Sequence, residues 1–186
     1  MSQDFKGRLS FLGNFLKHPL RNASVAPSSR IAARNMLRGI DLEKLTHVVE
    51  LGPGTGSFTQ ELYARLPEGC QVLVIELDAG YVANLRARYG DRFDIVQASA
   101  HEMESLVKER GWPAVDLIVS GLPFTLPKSV KASLWGSLQA MTRTGTVYRW
   151  FTYMPPIMKW HYRGFDMRLV RRVWANLPPM WIYSVN

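Results

Sequence analysis

A chain of 186 residues with 47% hydrophobic content is long enough to bury one ordinary core, and its net charge of +8 calls for an acidic partner surface. A single cysteine, Cys70, excludes an internal disulfide, and no Cys/His cluster has metal-ligand spacing, so no metal is expected. Apolar runs stop well short of the roughly 20 residues of a helical membrane span, and the first segment lacks the continuous apolar core of a secretory signal. The chain is therefore expected in the cytoplasm or on a membrane facing it. Its charge is uneven: residues 1–38 carry +6, residues 39–142 carry −4 and residues 143–186 carry +6. Both basic ends suit anionic lipid or nucleic acid.

The N-terminal segment places Phe5, Leu9, Leu12 and Leu16 at helical spacing, with Lys6, Arg8, Lys17 and Arg21 around them. Such a basic amphipathic helix either lies in a membrane interface or caps the core with its apolar face. Pro19 interrupts it. After a turn at residues 25–30 a second helix is expected from Ser29 to Leu37, placed to close over a ligand. Residues 1–38 thus form a helical, membrane-contacting and cofactor-covering segment ahead of a domain at 39–186.

Strand-like and helical stretches then alternate. Strands are expected at 48–51, 72–75, 93–96, 115–119 and 146–153, and helices at 57–66, 79–89, 101–109, 128–141 and about 164–172. Two further strands, 173–177 and 180–185, are split by Pro178-Pro179 and read as an antiparallel hairpin at the sheet edge. The βαβ alternation requires a parallel sheet with helices on both faces, here a seven-stranded, mostly parallel, Rossmann-like α/β sheet. Ligands of such sheets collect at the carboxyl ends of the strands.

The first strand runs into Glu50-Leu51-Gly52-Pro53-Gly54-Thr55-Gly56, with glycines at every second position. That spacing lets the backbone turn sharply and bring its N–H groups against a ligand. The second strand ends in Glu76, where a carboxylate can accept hydrogen bonds from two ribose hydroxyls. The loop departs from the dinucleotide fingerprint, and the acidic Glu50 before it would repel a pyrophosphate. Glu50 tolerates the cationic amino and sulfonium groups of S-adenosylmethionine, which is the expected cofactor.

Later strand ends carry the remaining candidates. Ser99 and Ala100 follow the third strand, where Ser99 is expected to hold adenine by a neutral hydroxyl; His101 reads as a helix-start residue. Ser120, Gly121 and Leu122, leading into Pro123, should line the gap between sulfonium and acceptor. Tyr153 ends the fifth strand and offers an electron-rich ring to a methylated ammonium. Residues 154–165, with Lys159, His161 and Arg163 among aromatics, can meet a phosphate or a bilayer.

Ser24-Val25-Ala26-Pro27-Ser28-Ser29, the Glu50–Gly56 loop, Glu76, Ser120-Gly121-Leu122-Pro123 and Asn176-Leu177-Pro178-Pro179 together make the chain resemble the bacterial phospholipid N-methyltransferases over nearly its whole length. The resemblance implies a class I methyltransferase fold and a peripheral membrane enzyme on the cytoplasmic membrane. It implies conversion of phosphatidylethanolamine toward phosphatidylcholine, with S-adenosylhomocysteine as the other product. It also implies cofactor roles for Glu50, Gly52, Gly54 and Glu76, whereas Ser99 departs from the acid that many relatives carry. The basic N-terminal helix is the expected contact with an anionic membrane, and nucleic acid is not an expected partner. The rival is an RNA adenine N6-dimethyltransferase, which generally carries Asn where Gly121 stands, so that its amide can bond the adenine amino group. A basic lipid- or RNA-binding module with a dead cofactor site is a third reading.

Overall fold

The computed structural model describes residues 27–122, 126–156, 162–176 and 179–186. The amphipathic helix expected near residues 5–20, Pro123, and residues 157–161 of the stretch at 154–165, with Lys159 and His161, lie outside them.

Helix α1 (Pro27–Met36) leads through a 3₁₀ turn (Leu42–Lys44) into strand β1 (His47–Leu51), α2 (Ser57–Arg65), β2 (Gln71–Glu76) and α3 (Ala79–Tyr89). There follow β3 (Asp94–Gln97), a 3₁₀ turn (Ala100–Glu102), α4 (Met103–Glu109), β4 (Leu117–Ser120), α5 (Lys128–Arg143) and β5 (Val147–Thr152). Strands β6 (Met167–Val173) and β7 (Met180–Val185) end the chain. The sheet order is β3-β2-β1-β4-β5-β7-β6, with β7 antiparallel to both neighbours and the other described pairs parallel. The strand order reverses between β1 and β4, and crevices of this kind bind ligands in open α/β sheets.

Both faces are covered, as apolar strands of the parallel type require. On one face Ala32, Met36, Leu62, Leu66, Val82 and Leu85 pack against Val48, Val72, Val74 and Val119. On the other, Met103, Val107, Leu134 and Leu138 cover Val49, Leu51, Leu73, Ile75 and Ile118. Each buried Val, Leu, Ile or Met side chain among these contributes about 1.5–3 kcal/mol relative to exposure. Helix α3 starts where Asp78 accepts from the Gly80 and Tyr81 amides (2.8 and 3.0 Å), a cap worth about 1 kcal/mol.

The sequence pattern misleads near the C-terminus. The helix expected at about 164–172 is strand β6, and residues 174–176 follow it as a turn rather than forming a strand at 173–177. A bulge causes the error. Leu169 pairs with Tyr183 and Arg171 with Ile182, leaving Val170 as an extra residue. Met167, Val170 and Val173 are the less exposed residues of β6, Met167 on one face of the sheet and the two valines on the other, and their spacing of three mimics a helix.

Candidate cofactor and methyl-transfer site

At the reversal point the chain leaves β1 through Gly52 (φ +64°) and Gly54 (φ +56°). The left-handed backbone costs a residue with a side chain about 1–2 kcal/mol, which explains glycine at these positions. Two neighbouring strands hold the loop: the Gly52 amide donates to the Ile75 carbonyl (2.9 Å), and the Gly121 amide donates to the Leu51 carbonyl (2.8 Å). The approach is close. A Cβ at Gly121 would sit 2.6 Å from the Gly52 carbonyl oxygen, and one at Gly52 would sit 2.8 Å from Leu122 Cδ2. A Cβ at Gly54 would meet nothing within 4 Å, so this glycine borders open space, whereas Gly56 faces Leu85 at 2.7 Å and serves packing behind the loop.

Glu76 ends β2 almost fully buried and gathers three main-chain donors. Its Oε2 accepts from the Gly54 amide at 3.0 Å, and its Oε1 accepts from Leu77 at 2.8 Å and Asp78 at 3.0 Å. Hydrogen bonds to a charged acceptor are the stronger kind, so this carboxylate fixes the glycine loop to the end of β2.

Glu50 has the opposite environment. It is 0% exposed, and neither carboxylate oxygen has a hydrogen-bond partner. Burial pushes its pKa up from 4.5 to about 8; nearby Thr59 draws it back in part, and the charge of Glu76 adds to the rise. The Thr59 hydroxyl stands close without hydrogen-bonding geometry and is itself unpartnered. A buried acid with no partner is costly, and it fits a ligand that brings positive charge to the loop. These residues therefore fit S-adenosylmethionine: a glycine cradle with open space at Gly54, a carboxylate at the end of β2, and an orphaned acid behind the cradle. Glu50, Glu76 and the loop amides would hold it, and its chemical contribution is an electrophilic methyl group on a sulfonium.

The other expected residues are divided between flanks. Ser99 lies beyond β3, its hydroxyl engaged by His101 Nδ1 (2.7 Å) and its amide by the Glu102 carboxylate (2.7 Å), with His101 exposed at the helix start. Ala100 buries its methyl beside Met103. Ser120 is buried, and its hydroxyl accepts from the Leu122 amide (3.3 Å). Tyr153 lies on the α2 face, edge-on to Phe151 at 5.5 Å, while Phe151 meets Phe58 of α2 at 5.5 Å. Burial raises the pKa of the Tyr153 hydroxyl, with a hydrogen bond to Asn176 opposing the rise.

Behind Ser120, four of the aromatic residues that crowd the C-terminal third of the sequence, expected there as core or surface cover, are buried in an assembly whose mutual contacts the sequence does not specify. Tyr148 and Tyr162 share a hydroxyl hydrogen bond of 3.0 Å, Trp150 stacks on Tyr162 at 3.9 Å, and Tyr183 stacks on Trp150 at 4.9 Å. Burial pushes the Tyr148 hydroxyl up to about 12, so it is a neutral donor at ordinary pH. Strand parity was the available signal, because alternate residues of β5 face opposite ways.

The fold and the site define a class I methyltransferase. Solved structures agree on the fold: a precorrin-8w decarboxylase from Methanobacterium thermoautotrophicum has a TM-score of 0.61 at 17% identity, covering 87% of this chain and 92% of that one. Fibrillarin from Aeropyrum pernix, with S-adenosyl-L-methionine bound, has a TM-score of 0.61 at 15% identity, covering 85% and 76%. Residues 5–109 match the family model for ribosomal RNA adenine dimethylase. Ornithine lipid N-methyltransferase from Singulisphaera acidiphila is 34% identical over 181 residues, 93% of this chain and 92% of that enzyme. Ribosomal RNA small subunit methyltransferase A from a Synechococcus strain is 30% identical over 132 residues, 70% of this chain and 42% of that enzyme. The chain belongs to the ribosomal RNA adenine dimethylase family and is an S-adenosylmethionine-dependent methyltransferase.

Proposed function

We propose that this enzyme N-methylates the amine of a membrane lipid, working from the cytoplasmic side as a peripheral membrane protein. Phosphatidylethanolamine, carried through its mono- and dimethyl forms toward phosphatidylcholine, and ornithine lipid both present such an amine. The carrying observation is Gly121. With no side chain, Gly121 cannot make the amide contact to the adenine amino group that the asparagine of RNA adenine dimethylases makes here, and a Cβ would sit 2.6 Å from the Gly52 carbonyl oxygen, so regaining that asparagine would require the loop to shift. The near full-length match to a lipid N-methyltransferase supports the same reading.

The family-model match favours RNA adenine as the second reading. In the lipid reading, Gly121 and Leu122 line the approach at the end of β4, and Tyr153, just past the end of the neighbouring strand β5, is the proposed ring that favours a growing ammonium. An alkylammonium must lose its proton before each transfer, by analogy with lysine near 10.4, and water takes it. The amine lone pair then forms the new N–C bond as the S–C bond breaks, and the sulfur keeps that electron pair as a neutral thioether. The basic segment at residues 1–38 is the proposed contact with anionic lipid.

The test is transfer from labelled S-adenosylmethionine to vesicles containing phosphatidylethanolamine, to vesicles containing ornithine lipid, and to ribosomal RNA. Label in one lipid identifies the head group, and resolving the products counts the methylations. Label in RNA alone overturns the proposal.

A further inference from the structure

We infer that the β6–β7 edge, at the end of the sheet that carries the cofactor loops, docks on an anionic bilayer surface; the inference rests on the lipid reading above. Because β7 runs antiparallel to β5, its first residues lie beside the carboxyl end of β5, where Thr152 pairs with Trp181. Trp181 pairs in turn with Arg172, and Met180 with Val173, so β6 also ends there. The turn after β6 therefore shares the rim on which Gly52, Glu76 and Gly121 lie. Trp174 stands on that turn 67% exposed, edge-on to Trp181 at 5.8 Å. Leu77, 69% exposed at the end of β2, faces solvent at the same end.

The edge is basic as well as aromatic. Residues 167–176 contain Arg168, Arg171 and Arg172 and no acid, and all three arginines are exposed. Arginines on an outer strand can serve only to prevent edge-to-edge association, but an exposed tryptophan at its tip works against that purpose. The combination has a consistent use at a membrane. A tryptophan ring settles at the headgroup level, and arginine stems lie along apolar surface with their charges among lipid phosphates. An amine substrate held in a bilayer must be presented at this same end of the sheet. Docking here would bring the bilayer surface to the site rather than lift a lipid across the protein.

Partitioning of the full chain onto phosphatidylcholine vesicles, with and without phosphatidylglycerol, tests the inference. Trp174→Ser should weaken binding on the order of tenfold through lost apolar contact. Arg171→Gln with Arg172→Gln should weaken binding to the anionic vesicles about thirty-fold, and Arg171→Lys with Arg172→Lys should preserve it. All variants should transfer methyl groups to a short-chain, monomeric amine lipid at the wild-type rate, which shows them folded. Unchanged partitioning of both the serine and the glutamine variants overturns the docking surface. Loss of RNA binding with vesicle binding intact also overturns it, assigning the edge to nucleic acid. If the wild-type protein methylates no lipid in monomeric form, the proposed function fails, whereas the docking surface is judged on partitioning alone.

Discussion

Replacing Glu50 by glutamine isolates the energetic state of the cofactor loop. The Glu50 carboxyl titrates near 8 in the folded protein against 4.5 ordinarily, because burial disfavours its charge. Between those values the native state keeps a proton that the unfolded chain has released. Stability contributed by this group is therefore complete below about pH 4.5 and falls as pH rises through 8. One proton corresponds to about 1.4 kcal/mol per pH unit, so from about pH 5.5 to pH 7.5 the wild-type protein should lose about 2.5 kcal/mol from this source. Glu50→Gln has no proton to release and should lack that loss, whatever fixed cost its extra amide donors impose. Urea unfolding of both proteins over this range, in the absence of cofactor, measures the difference directly. S-adenosylmethionine should offset this loss, since a cationic amino group near the loop favours the ionised acid. Wild-type affinity should then rise up to tenfold per pH unit below 8, and the variant's should stay flat. Parallel stability curves for the two proteins would refute the account of Glu50 as a buried, protonated acid.

Gly54→Ala should cost about 1 kcal/mol of stability in denaturant unfolding, from the left-handed backbone alone, yet lower cofactor affinity far more, because its methyl enters the open space beside the loop. Glu76→Gln should lose roughly 2 kcal/mol and at least tenfold in cofactor affinity by calorimetry, since three amides lose a charged acceptor. Tyr153→Phe should leave product distribution intact, whereas Tyr153→Ala should stall methylation after the first or second step; an unchanged distribution in the alanine variant removes Tyr153 from the transfer site.

The parts of this fold that speak locally were legible from sequence. Helix α3 matches its expected bounds because Asp78 caps it and the apolar spacing is regular. The glycine loop and Glu76 declared themselves because left-handed turns and a carboxylate at a strand end each have few other uses. What stayed hidden depends on partners distant in sequence. The burial of Glu50 follows from Thr59 and α2 closing over it. The Tyr148–Tyr162 hydrogen bond and the Trp150–Tyr183 stack bridge segments whose relation only the sheet order sets. Strand β6 was misread because one extra residue, Val170, replaced a period of two with a spacing of three.

The paired contacts at the reversal point bear on how the site comes into being. Gly52 is tied to Ile75, while Leu51 is tied to Gly121, seventy positions further along the chain. Asp116 acts likewise at the opposite end of β1, accepting from the amides of Thr46 (2.6 Å) and His47 (2.9 Å). The loop nearest the amino end thus takes its final shape only after β4 has been synthesised and has slotted in beside β1. Binding competence is a late event in the history of the chain, reached when a distant segment arrives rather than when the glycines themselves emerge.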